Sequence, residues 1–216
     1  MVNVHSVQDE SDLTARAMIR NAALRLFAER GPDAVTVRMI AGQAGVSPAL
    51  VVHHFGSKEG LRAEVDTFAA RAFDVLFEEV PAEDLARMLA GGEGTGSLVE
   101  AFARGFPPGS PLPAYLRRLL LSNDPAGAAL FGRWYAATRR LLDAMVELGV
   151  ARPSRDAEVR AAFFLVNDLA LILLRNQIAT AIGTDPLTPE GVDRWAQEAS
   201  IVYREGAFGA PGGEER

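Results

Sequence analysis

Cysteine is absent from the 216 residues, which excludes a disulfide framework, a thiol nucleophile and a thiolate metal site, and suits a reducing compartment. Histidine is almost absent, occurring only at His5, His53 and His54. An imidazole-rich metal site is therefore not expected. The first residues, "MVNVHSVQDESD", lack the basic and apolar regions of a signal peptide. The longest apolar run, "AAFFLVNDLALILL" at residues 161–174, carries Asn167 and Asp168 and is shorter than the roughly 20 residues a bilayer span requires. No nucleophile elbow, phosphate-binding loop or metal-ligand spacing occurs either, and the paired acids Glu78-Glu79 read as a solvated face. These absences lead to the expectation of a cytoplasmic, non-enzymatic protein with no cofactor, no metal and no membrane partner.

What is present begins with 49% hydrophobic residues, enough for a sizeable core in one large domain or in a small domain with a larger one. Charge is unevenly placed. The formal net charge is −6, yet residues 13–62 hold seven basic side chains (Arg16, Arg20, Arg25, Arg30, Arg38, Lys58, Arg62) against three acidic ones (Glu29, Asp33, Glu59), a local +4. The remainder holds 15 basic against 25 acidic residues, or −10. A basic head on an acidic body is steered toward phosphates while the body discourages nonspecific adhesion.

The pattern is helical throughout. Residues 13–30 place Ile19, Ala22, Ala23, Leu26 and Phe27 on one stripe, with Gly31 as a C-terminal stop. Thr36 is positioned to N-cap a second short helix in which Ile40 and Ala44 lie i,i+4 before Gly45. Ser47 and Pro48 launch a third. A long helix is predicted from about Ser57 to Val80, stopped by Pro81. Beyond it, "GGEGTGS" (residues 91–97) reads as a loop and "FPPGSPLP" (residues 106–113) as a break. Further helices are predicted over residues 125–149, 154–182 and 189–207. Residues 161–181 are apolar almost all round, so that helix is either central to one core or shared between a core and a partner subunit.

The break at Gly45-Val46-Ser47-Pro48 fits a helix-turn-helix, in which glycine takes a positive φ, Val46 tucks inward and Ser47-Pro48 starts the next helix. Val51 and Phe55 then face the core. Ala49, Leu50, Val52 and His53 point away, where an imidazole can hydrogen-bond a base edge and an aliphatic side chain can touch a thymine methyl. The Thr36 hydroxyl with the cap amides, Arg38, His54, and Lys58 with the free amides of the next helix start fit phosphate contacts, which position the protein without specifying sequence, and Ser47 is a further DNA-binding candidate.

The run "ALRLFAERGPDAVTVRMIAGQAGVSPALVVHHFGSKEGL" resembles the DNA-binding head of TetR-family transcriptional regulators over about fifty residues. The likeness is carried by Phe27-Ala28-Glu29-Arg30-Gly31, Thr36-Val37, Ala44-Gly45-Val46-Ser47, His54-Phe55 and Ser57-Lys58-Glu59. It implies an all-α homodimer with a three-helix helix-turn-helix head, joined by a long helix to a helical-bundle body for ligand binding and dimerisation. The family also implies a small-molecule pocket in that body and, usually, repression; the layout of a compact head joined by a long helix to a much larger body adds the expectation that a bound molecule lowers DNA affinity. Val52 stands where many members carry an aromatic that contacts the DNA backbone, which leaves more to His53 and His54. The two long C-terminal helices, including "DPLTPEGVDRWAQEASIVYREG", resemble one group of family bodies. That likeness implies pairing with their copies in a four-helix dimer interface.

The expected organisation is a disordered leader (residues 1–11), a DNA-binding head (12–57), a ligand-binding and dimerisation body (58–208) and a disordered tail (209–216). The expected partners are a double-stranded, pseudo-palindromic operator, a second copy of the chain and a small, largely apolar effector. Polar or aromatic residues inside apolar helices are the pocket candidates: Phe102, Tyr115, Trp134, Tyr135, Phe164, Asn167, Asp168 and Asn176. For each, a place in the core or in the dimer is the competing reading. An activator of the same fold, or a helical interaction module that does not bind DNA, are the functional alternatives.

Overall fold

Helix α1 (Val4–Arg30) buries the stripe its spacing predicts, with Ile19, Ala23 and Phe27 fully enclosed beside Ala22 and Leu26. The computed structural model describes residues 4–78 and 109–205. Within them the chain forms nine helices and no strand. The N-terminus of α1 differs from expectation: residues placed in a leader without fixed structure continue the helix back to Val4. No glycine or proline interrupts them, and each residue added to an existing helix gains a backbone bond without a new nucleation cost.

Helices α2 (Val37–Ala44) and α3 (Pro48–Phe55) are the two short helices expected. They pack on α1 through Ile40, Ala41 and Val51, with Val35 of the preceding loop enclosed between them. Helix α4 (Lys58–Glu78) adds Leu61, Val65 and Ala69 to the same core. Fully burying a leucine or valine side chain contributes about 1.5–3 kcal/mol. The described residues of α4 end at Glu78, so the expected stop at Pro81, the 91–97 loop, Phe102 and the tail lie outside the described residues.

Helix α5 (Leu112–Leu121) begins inside the expected "FPPGSPLP" break, with Pro113 in its first turn. Four more helices follow: α6 (Pro125–Glu147), α7 (Ala157–Leu173), α8 (Arg175–Ile182) and α9 (Pro189–Glu205). The single helix expected over residues 154–182 is two helices, turned at Leu174 (φ −114, ψ 23). Leu174 is neither glycine nor proline, so the sequence offered no stop. The turn is held from beyond α8, where Arg175 makes a two-pronged bond to Asp185 at 2.8 and 2.5 Å.

The chain divides into two compact units, residues 1–72 with 109–128 and residues 73–108 with 129–216. The first therefore reaches well past the expected boundary at residue 57. Phe27 stacks on Tyr115 at 6.4 Å, and Arg118 donates to the α1 carbonyls of Ala28 and Glu29 at 3.4 and 3.3 Å. These contacts bring α5 into the head, although some ninety residues separate the partners. In the second unit, Leu130, Trp134, Ala137, Leu141 and Leu142 of α6 are buried, as are Ala161, Leu165, Leu169 and Ile172 of α7. Val192 and Ala196 of α9 complete that core.

Candidate nucleic-acid interface

The turn between α2 and α3 is set by local chemistry. Thr36 accepts from the Met39 amide at 3.3 Å and Ser47 from the Leu50 amide at 3.2 Å, caps worth about 0.5–2 kcal/mol each. Gly45 closes α2 at φ 70, a left-handed conformation that a β-carbon disfavours. It bonds back to the end of α2, and the Val46 amide reaches Ala41 at 3.0 Å. Gly60 fixes the next junction. A β-carbon there would stand 2.2 Å from the Phe55 carbonyl oxygen, so the first turn of α4 lies directly against the end of α3.

This geometry separates the two faces of α3. Val51 is buried, and Phe55 is half-buried beneath the Arg16 guanidinium, 5.2 Å from the ring centre. Arg16 also pairs with Glu64 at 2.9 Å, joining α1 to α4. Ala49, Val52 and His53 are exposed at i, i+3 and i+4 spacing, so they form one outward stripe. Leu50 and His54 are half-buried at its margins, and the His53 and His54 rings meet edge to face at 5.4 Å.

Thr36, Arg38 and Ser47 are exposed on or just before α2 and α3. Lys58, the only lysine in the chain, is half-buried, and its ammonium donates to the Pro32 carbonyl at 3.0 Å. That acceptor lies 26 residues away in the α1–α2 loop and is a backbone carbonyl, which no side-chain pattern marks. An ammonium carries three donors, so this bond directs the charge without exhausting it.

The body candidates separate into distinct environments. Trp134 is buried on α6, and Tyr135 is half-buried with its hydroxyl donating to the Glu158 carbonyl at 3.3 Å. Phe164 stacks on Tyr203 at 4.4 Å, and the Asn167 amide donates to the Tyr203 hydroxyl at 2.7 Å. Asp168 is buried at 8% exposure. Burial, followed by the Asp168 carboxylate, pushes the Tyr203 phenol up to about 12, while the Asn167 bond opposes the shift. Tyr203 was missed in the sequence because it lies in the last helix, 36 residues from Asn167.

Two candidates do not join this group. Tyr115 belongs to the first unit, where its hydroxyl is taken by Asp66 at 2.6 Å. Asn176 is exposed on α8. Phe102 lies outside the described residues. Among the described residues, no cluster of histidine and acidic side chains has the arrangement of a metal site, and no helix is long and apolar enough to cross a membrane.

Two short helices locked at a capped turn, with the second offering an outward stripe beside cationic side chains, define a helix-turn-helix DNA-binding protein. The chain matches the bacterial regulatory proteins of the tetR family over residues 19–65, and a tetracycline repressor-like C-terminal domain over residues 109–206. It thus belongs to the TetR family of transcriptional regulators, a family of regulators rather than enzymes. It is 38% identical over 156 residues to the transcriptional regulatory protein RaaS of Mycobacterium tuberculosis, covering 72% of this chain and 68% of that one. Identity to the transcriptional repressor Rv3405c of the same species is 31% over 177 residues, or 80% of this chain and 79% of the relative. The fold is also that of the fatty acid degradation regulator FadR from Bacillus halodurans, with a TM-score of 0.66 at 16% identity, over 89% of this chain and 96% of that one.

Proposed function

We propose that the protein is a homodimeric repressor that binds a pseudo-palindromic operator and is released by a small, largely apolar molecule. The observation that carries this reading is an apolar face left uncovered on α7. Val159, Phe163 and Val166 are 63%, 62% and 52% exposed at helical spacing, and Ile201 and Val202 of α9 are exposed as well. An isolated chain gains nothing from presenting such a row to water, whereas a second copy covering it satisfies both. Two short recognition helices then read two half-sites, centred one helical turn of about 34–36 Å apart. Residues Thr36, Arg38, Ser47, His54 and Lys58 hold phosphates, and the stripe on α3 meets base edges.

The effector reading rests on the aromatic and polar residues of the second unit, Trp134, Tyr135, Phe164, Asn167 and Asp168. An effector releases the operator only by binding one conformation better than another, typically with about 1–3 kcal/mol of coupling. Repression is the direction named for the relative Rv3405c. Footprinting on the selected site, combined with thermal-shift screening for an effector, tests the whole scheme. Protection is expected to be twofold symmetric, and operator and effector are expected to weaken each other by one common factor. An asymmetric footprint from a stable monomer contradicts the dimer, and an effector that leaves operator affinity unchanged contradicts release.

A further inference from the structure

The outward stripe of α3 is short of the side chains that ordinarily distinguish bases. Helix α3 reads "PALVVHHF" and contains no Arg, Lys, Asn, Gln, Asp or Glu. Bidentate pairing of Arg or Lys with guanine, and of Asn or Gln with adenine, is therefore unavailable from this helix. His53 supplies the one exposed hydrogen-bonding side chain within it. The rest of the stripe is aliphatic: Ala49, and Val52 at 48% exposure. An aliphatic side chain pressed on a purine edge or on the cytosine amino group would strip that group of water without replacing its hydrogen bond. The major groove displays one apolar group on the four bases, the C5-methyl of thymine.

We infer that Val52, assisted by Ala49, is a specificity-determining residue that reads a 5-methylpyrimidine in each half-site. The inference rests on the DNA-reading role of α3 proposed above and names what that role recognises. The valine methyls fit against the C5-methyl, and the neighbouring His53, one residue on, addresses the adjoining base pair. The same contact accepts 5-methylcytosine, because the methyl occupies the corresponding place on the pyrimidine ring. Cytosine methylation at that position then strengthens binding where unmethylated cytosine is rejected. The absence of Arg and Lys from α3 also shifts the electrostatic part of affinity to the flanking Arg38 and Lys58.

The test begins with selection of the preferred duplex from a random pool by the full-length protein. Each thymine in the selected half-sites is then replaced by deoxyuracil, which removes only the methyl. At one position per half-site the wild type is expected to lose about fourfold in affinity, the equivalent of ~0.8 kcal/mol for one buried methyl-sized group. Val52→Ala and Val52→Ser, which remove both valine methyls, are expected to bind more weakly and to lose distinctly less on that replacement than the wild type does. Thermal denaturation of both variants separates a lost apolar contact from a lost fold. Placing 5-methylcytosine at that position is expected to bind the wild type more tightly than cytosine does. If uracil replacement leaves wild-type affinity unchanged, or lowers it equally in wild type and both variants, the assignment of Val52 is overturned while DNA binding stands. If the protein selects no duplex at all, the DNA-reading role falls and this inference falls with it.

Discussion

The Tyr115 hydroxyl donates to an Asp66 carboxylate oxygen at 2.6 Å, tying α5 to α4 inside the head. Arg62, one turn earlier on α4, pairs with Asp124 at the start of α6. Burial raises the Asp66 pKa, and the Tyr115 bond is the largest influence opposing it. Tyr115→Phe keeps the ring on Phe27 and removes that donor, so Asp66 shifts further up. A folded-state pKa above the unfolded value means that the ionised carboxylate weakens the fold at higher pH, and that this cost disappears as pH falls. The variant is expected to lose about 1–3 kcal/mol near neutral pH and less in acid, as the carboxyl takes up its proton. Urea denaturation at neutral and acid pH measures both. Equal losses would show that the bond does not serve the ionised carboxylate.

Lys58→Ala is expected to weaken binding to every duplex alike and to reduce the salt slope by about 0.9 per monomer, because one phosphate-neutralising charge is lost. The missing Pro32 bond adds a stability loss of about 0.5–1.5 kcal/mol. Fluorescence anisotropy over a salt series reads the first effect and thermal denaturation the second. An unchanged slope places the ammonium away from phosphate.

His53→Ala is expected to act on preference instead, costing about 0.5–1.5 kcal/mol at one position of each half-site, the value of a single hydrogen bond. Competition between single-base operator variants separates this from Lys58→Ala. A uniform loss across all variants means that His53 does not face a base edge.

Phe163→Asp tests the uncovered α7 face. Phe163 is 62% exposed in the single chain, so a carboxylate there leaves the monomer fold intact but is buried and unpaired in a dimer. Dimerisation is expected to weaken by at least about 2 kcal/mol, roughly thirtyfold, with operator affinity falling in parallel. Sedimentation equilibrium gives the answer, and a variant that dimerises as tightly as wild type places the interface elsewhere.

Asn167→Ala and Tyr203→Phe both cut the bond between these residues, but only the first removes the amide. If Asn167 touches the effector, Asn167→Ala is expected to lower effector affinity about fivefold, a loss of ~1 kcal/mol, and Tyr203→Phe distinctly less. Calorimetric titration of the two variants decides it. Matching losses make Asn167 a residue that acts through Tyr203.

Where local chemistry decides the outcome, the sequence was sufficient. The Thr36 and Ser47 caps, the glycine at φ 70 and the apolar stripe of α1 require only neighbours within a turn or two, so their residues are legible in order along the chain. The uncovered face of α7 was partly legible as well, since residues 161–181 are apolar almost all round. Choosing which side meets the core required α6 and α9 to be in place. The same limit explains the other departures. The turn at Leu174 is held by a bond between Arg175 and Asp185, and the head takes in α5 through Tyr115 with Asp66 and Arg118 with the α1 carbonyls. Lys58 finds its acceptor in the Pro32 carbonyl. Each depends on a partner many residues away, and a backbone carbonyl leaves no mark on the sequence. Residue order thus determined the helices, their caps and the reading turn, whereas tertiary packing decided the extent of the head, the turn at Leu174 and which apolar surface was left uncovered.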